Sequence, residues 1–253
     1  MNFEVKQISK PELKNPILIE GLPGIGNVGK IAADFVVDNL KAKKFLEITS
    51  NSFPNSVFVN EKNLIDLPKI ELYYKKGKQD FIFLTGDVQP LNEKDCYEFC
   101  HIVLDIFSKY KGKEIVTLGG IGMSKIPKHP QVYCSANNDS IIKKYKSSNL
   151  NSNIFGVVGP IMGVTGLLIG LSKKRNIPGI TLLAQTFGHP SYLGIKGARE
   201  IIKILDNKLN LKLDLKKLDK EISNIEKEAK EKQSKVPQLP QKLNIGDETT
   251  YIG

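Results

Sequence analysis

Cysteine is scarce, and the scarcity excludes a disulfide framework. Cys96, Cys100 and Cys134 are the only ones, an odd set that cannot pair off, so a reducing cytoplasm is the expected setting. Arginine is scarcer still. Apart from Arg175 and Arg199, the cations behind the formal charge of +10 are lysines. Nucleic-acid readers rely on arginine forks and stacking aromatics. No such cluster occurs, so the charge reads as a solvated lysine surface and no nucleic-acid partner is expected. An apolar leader core is also missing: Met1–Lys10 is polar, and no secretory signal is expected there. One uncharged run, Ile154–Leu171, barely reaches the length of a membrane span. Its pairs Gly159/Gly163 and Gly166/Gly170 even fit a small-residue helix contact. Gly159-Pro160-Ile161-Met162-Gly163 splits it, however. It therefore reads as a strand over Ile154–Val158 and a buried helix over Thr165–Asn176, with no membrane partner.

At 253 residues the chain is long enough for a large core. Its organising stretch is Ile17–Gly29. Ile17–Ile19 is a short β-branched run that predicts a buried strand. Glycines and Pro23 then turn the chain. Val28, Ile31, Ala32, Phe35, Val36 and Leu40 recur at helical spacing, predicting a helix from about Asn27 to Leu40. Gly24, Gly26 and Gly29 fall in the order G-x-G-x-x-G, the dinucleotide pattern, and a helix N-terminus suits an anion or polar partner. That pattern requires an acid at the end of the next strand, about 20 residues on. The next strand, Phe45–Thr49, carries Glu47 in its middle. The favoured reading is that the glycines allow a sharp turn and a close helix-to-sheet approach.

The remaining pattern alternates strands and helices. Phe3–Ile8 suits an edge strand, and Val57–Val59 and Leu64–Leu67 are short apolar runs. Glu71–Tyr74 and Phe81–Leu84 flank a polar turn and predict a β-hairpin. The loop Gly86–Pro90 follows a strand's carboxyl end, where open α/β sheets place their crevice. Asn92 is a suitable N-cap for a helix over Glu93–Lys109, with Tyr97, Cys100, Ile102, Val103, Leu104, Ile106 and Phe107 as its buried face. Ile115–Leu118 predicts a strand running into a close-approach loop, Gly119–Met123. Val132–Ser135, Ile141–Tyr145, a polar loop Ser147–Asn153, Ile180–Ala184 and a helix over Ile195–Leu209 complete the domain. This order predicts a three-layer α/β/α fold with a mostly parallel mixed sheet over residues 1–210. Leu211, Leu215, Leu218, Ile222, Ile225 and Ala229 then form a heptad row, predicting a helix over residues 211–234. Pro237 and Pro240 lie in a linker and tail, residues 235–253.

No catalytic set stands out. Cys96 and Cys100 share a helical face, but His101 points about 100° away, and two ligands fall short of the four of a closed zinc site. Ser124, Cys134 and Ser191 lack a nucleophile-elbow sequence. Asp87, His129 and His189 are expected in loops that would meet at one end of the sheet. No metal, cofactor or enzymatic activity is expected.

Three glycine segments, Glu20–Gly29, Thr117–Gly122 and Gly159–Gly166, together resemble, in sequence and order, the signatures of the archaeal proteasome assembly chaperone family. The resemblance implies a phosphorylase-like α/β fold and a non-enzymatic, self-associating, cytoplasmic protein. It further implies binding to the α subunits of the proteasome core particle. Gly24, Gly26, Asn27, Gly29, Gly119, Gly120 and Gly122 are then candidate site positions. Members of this family and proteasome activators end in a hydrophobic residue, Tyr and any residue, and that tail enters a pocket between α subunits. Here the end is Thr250-Tyr251-Ile252-Gly253, one position out of register, so Tyr251, Ile252 and Gly253 are the candidate tail contacts. The alternative is a nucleoside- or nucleotide-binding enzyme using Gly24, Gly26, Gly29, Gly119 and Gly120 around an anion.

Overall fold

The structure is a computed structural model that describes residues 2–156, 158–216 and 218–220. Residues up to Leu215 pack as one unit. The heptad positions from Ile222 onward, the linker and Tyr251, Ile252 and Gly253 lie outside the described residues.

Eleven strands and five α-helices are described: β1 (Phe3–Gln7), β2 (Ile17–Glu20), α1 (Val28–Asn39), β3 (Lys43–Ser50), β4 (Phe58–Val59), β5 (Ile65–Asp66), β6 (Ile70–Lys75), β7 (Phe81–Gly86), α2 (Glu93–Lys109), β8 (Glu114–Met123), β9 (Val132–Ala136), α3 (Asp139–Tyr145), β10 (Leu150–Asn151), α4 (Gly163–Lys174), β11 (Gly179–Phe187) and α5 (Ile195–Leu209). Nine strands form one sheet in the order β1-β3-β6-β7-β2-β8-β11-β9-β10. Its centre, β7-β2-β8-β11, is parallel. The sheet is mixed as expected: its parallel pairs are that centre and the short β9–β10 pair, while β1, β3 and β6 join their neighbours antiparallel and β9 joins β11 antiparallel. The hairpin expected at Tyr74/Phe81 is the β6–β7 pair.

Side-chain alternation sorts the core into two layers. Leu18, Ile82, Leu84 and Ile115 face α2 and α4, where Phe99, Cys100, Val103, Leu104, Val164 and Leu168 meet them. On the other face α1 packs on β7, β8 and α5, burying Val28, Ala32, Ala33 and Val36. Cys96 and Cys100 are core residues of α2, whereas Tyr97, expected on its buried face, is half exposed.

Three sequence expectations fail locally. Gly119–Gly122 is not a loop: β8 runs through it, held in register by β11 as far as Phe187 opposite Met123. Ile154–Val158 forms no strand, only an isolated bridge between Phe155 and Val158, and Phe155 is fully exposed. Apolar composition alone mimicked a strand, but no neighbouring strand receives the segment. The short β10 inside the expected polar loop pairs with β9 instead.

Asn92 caps α2 as its sequence predicts, its side chain accepting from the Asp95 N–H at 2.8 Å. Asn92→Ala should cost about 1 kcal/mol, measured by urea unfolding, with an unchanged dependence on denaturant.

Candidate functional site

The three glycine segments converge at the carboxyl ends of the central strands. There β2 leads to α1 on one face and the neighbouring β7 leads to α2 on the other. A crevice at such a switch of direction is where open α/β sheets place their ligands. Here it is a groove of about 440 Å³ lined by Leu22, Gly24 and Ile25, by Leu118–Gly122, and by Val158–Gly163 with Thr165 and Gln89. Gln89 ties two walls together: its Nε2 donates to the Pro23 carbonyl at 2.7 Å, and its Oε1 accepts from the Val164 N–H at 3.3 Å.

The glycines serve backbone proximity. A Cβ on Gly29 would meet the Leu118 carbonyl oxygen at 2.3 Å, and one on Gly120 would meet the Ile25 carbonyl oxygen at 2.3 Å. Gly26 sits at φ 61, a left-handed conformation that glycine adopts without strain, and its carbonyl accepts from the Gly194 N–H at 2.7 Å. Asn27 is also left-handed and makes no side-chain cap. Gly24 is extended, with nothing within 4 Å of a Cβ. Gly122 would place its Cβ at an ordinary 3.4 Å from Gly188.

The features a dinucleotide site needs are not assembled. The strand that follows α1, β3, lies three places from β2, beyond β7 and β6. Glu47 on β3 pairs with Lys44. Lys30, the basic residue at the turn's edge, pairs with Asp34 at 2.9 Å. No charged side chain lines the groove among the described residues.

Nor do the sequence's candidate catalysts gather there. His189 stacks on Phe187 and meets Ser191 Oγ at 2.8 Å, exposed to solvent. His129 is exposed, and Asp87 accepts from the Lys69 N–H at 3.2 Å. Among the described residues no three His, Cys, Asp or Glu side chains cluster as metal ligands, and no helix is long and apolar enough to cross a membrane.

One acid beneath the groove escaped sequence reasoning. Glu20 ends β2 fully buried; its Oε1 accepts from the Leu22 N–H at 3.0 Å, and its Oε2 has no partner among the described residues. Burial pushes its carboxyl up to about 8 from an ordinary 4.5, offset in part by the Leu22 N–H. Its place in the run Ile17-Leu18-Ile19-Glu20, an acid closing a strand apolar on both faces, was the available signal.

The PAC2 family model matches residues 18–233. This chain belongs to the PAC2 family. The uncharacterized protein MJ1210 of Methanocaldococcus jannaschii is 31% identical over 232 residues, covering 89% of this chain and 88% of the relative. Among solved structures, the chain resembles Pyrococcus furiosus PbaB, described as an archaeal proteasome activator. The TM-score is 0.84 and the identity 31%, over 92% of this chain and 99% of that one. It shares its fold with P. furiosus PbaA, described as an archaeal homolog of proteasome-assembly chaperone, at TM-score 0.75 and 24% identity over 91% and 92% of the two chains. The matched residues span all three glycine segments.

Two outcomes test this description. Gly29→Ala should destabilise by about 1–3 kcal/mol because a methyl must displace main chain, while Gly24→Ala should stay within about 0.5 kcal/mol, both by denaturant unfolding. Equal effects would remove the close-approach account. For Glu20, the folded state keeps a proton that the unfolded chain releases above pH 4.5. Its stabilising contribution is therefore full below pH 4.5 and is lost as pH rises toward 8, at up to about 1.4 kcal/mol per pH unit. Glu20→Gln should abolish that slope between pH 5.5 and 7.5. An unchanged slope would show that Glu20 ionises normally.

Proposed function

We propose that this protein is a non-enzymatic assembly factor that binds the α subunits of the proteasome core particle, partly through Tyr251, Ile252 and Gly253. The observation that carries the proteasome contact is the likeness to PbaB, described as a proteasome activator, along nearly the whole of both chains; the assembly role follows the fold shared with PbaA, described as a homolog of proteasome-assembly chaperone. The charge-free, glycine-built groove supports it against the nucleotide-enzyme alternative, because phosphate recognition draws on cationic side chains or exposed helix amides. At α1 the first turn is pressed against β8 through Gly29.

A tail contact of this kind combines a terminal carboxylate with an aromatic anchor. The Pro-containing segment 235–253 would present it, and self-association would multiply weak tails into useful avidity. A surface for self-association is available on the β4–β5 hairpin. Val57, Val59, Leu64, Ile65 and Leu67 are each more than half exposed there, far more apolar surface than an isolated two-stranded hairpin sustains in water.

The test is co-purification of the cognate proteasome α subunits with the full chain and with a chain ending at Thr250. Truncation should weaken capture at least tenfold. Undiminished capture would move the contact to the folded body, and no capture by either form would overturn the proposal.

A further inference from the structure

The groove has a property independent of the C-terminal segment: its floor is a strand edge with no neighbouring strand. β2 pairs with β8 only as far as Glu20 opposite Thr117, yet β8 continues to Met123. On its other side β11 follows it without interruption from Gly179 to Phe187. In a ladder, the main-chain groups of successive residues point alternately to the two neighbours. Two bonds fix the phase. The Ile115 N–H donates to the Pro178 carbonyl, and the Met123 carbonyl accepts from the Gly188 N–H, each at 2.9 Å on the β11 side. Odd-numbered residues of β8 therefore address β11, and even-numbered residues address the side that β2 occupies only to Thr117.

Beyond that point the even residues are Leu118, Gly120 and Gly122. Leu118 adjoins the end of the β2 ladder at Glu20, and its carbonyl accepts from the Thr165 hydroxyl at 3.5 Å. Gly120 and Gly122 have no main-chain partner on that side among the described residues. Gly120 is half-buried and Gly122 is exposed. The walls are Ile25, Ile161 and Met162; the Ile25 carbonyl covers the α1 face of Gly120, 2.3 Å from where a Cβ would stand, and both glycines line the groove along the strand edge.

We propose that this groove binds an extended, uncharged peptide segment of a partner protein by strand addition to β8 at Gly120 and Gly122. Two N–H and two C=O groups offer up to four main-chain hydrogen bonds, the source of affinity in this mode of recognition. The open stretch from Leu118 to Gly122 spans about 13 Å at roughly 3.3 Å per residue, room for three or four residues of a partner strand. The cavity beside it, about 440 Å³, takes one large aliphatic or aromatic side chain from alternate positions. The charge-free lining sets the chemistry. A charged side chain entering there would lose hydration with nothing to pair with, which also disfavours the segment that carries Asp247 and Glu248.

The probe is a pool of acetylated, amidated hexapeptides that alternate Thr, Ser or Gln with Val, Ile, Leu, Phe or Tyr. A second pool carries Lys or Glu at the apolar positions. Binding to the full chain is read by fluorescence anisotropy, and amide exchange at Gly120 and Gly122 by NMR. The neutral pool should bind and slow both amides at least tenfold, while the charged pool should not. Gly122→Pro removes one open-side N–H without touching the β11 ladder and should weaken binding at least tenfold. Gly122→Ala keeps that N–H and should bind within about threefold of the native chain. Matching thermal unfolding of the two variants guards against a folding defect. Failure of the neutral pool to bind, equal binding by Gly122→Pro, or binding without protection of Gly120 and Gly122 would each overturn the proposal. A chain ending at Thr250 should bind the pool normally, which separates this site from the tail contact.

Discussion

The structure depends on one close approach: the first turn of α1 lying directly on the main chain of β8. Where Gly29 meets the Leu118 carbonyl, two backbones touch with no side chain between them. That contact sets the distance from helix to sheet and carries Ile25 over Gly120. A helix held even one methyl farther out would lift Ile25 from β8 and open the groove wall. The neighbouring ties, from Gly194 to the Gly26 carbonyl and from Gln89 to Pro23, fix the same turn from two other directions.

Much of this was legible in the sequence because the periodic signals there are strong and local. The 3.6-residue repeat of α1, the cap at Asn92 and the hairpin turn near Gly77 each rest on residues close in sequence. The G-x-G-x-x-G spacing was legible as a pattern but not by itself as a role. Only the place of β3, three strands away from β2, separates a packing device from a nucleotide cradle. Gly119–Gly122 misled for a similar reason. Glycine weakens a strand locally, and what holds β8 straight is its partner β11, more than 60 residues away in sequence.

Ile154–Val158 is the converse case. Its composition favours a strand, but all central positions of the sheet are taken and the segment passes over the groove instead. The pairing that decides between these outcomes is non-local, so residue type cannot signal it. Glu20 shows the same limit in electrostatic terms. An acid after three apolar residues is visible, but the burial that raises its carboxyl comes from packing that is not local in sequence.

The division of labour between floor and walls has an evolutionary consequence. Gly29 and Gly120 are each pinned by a neighbouring backbone, so mutation there is penalised through folding. Ile25 and Met162 on the rim are half or more exposed, at 51% and 77%, and exchanging them costs the fold little. The rim can therefore drift between lineages while the scaffold stays fixed, so relatives with the same architecture are free to acquire different preferences.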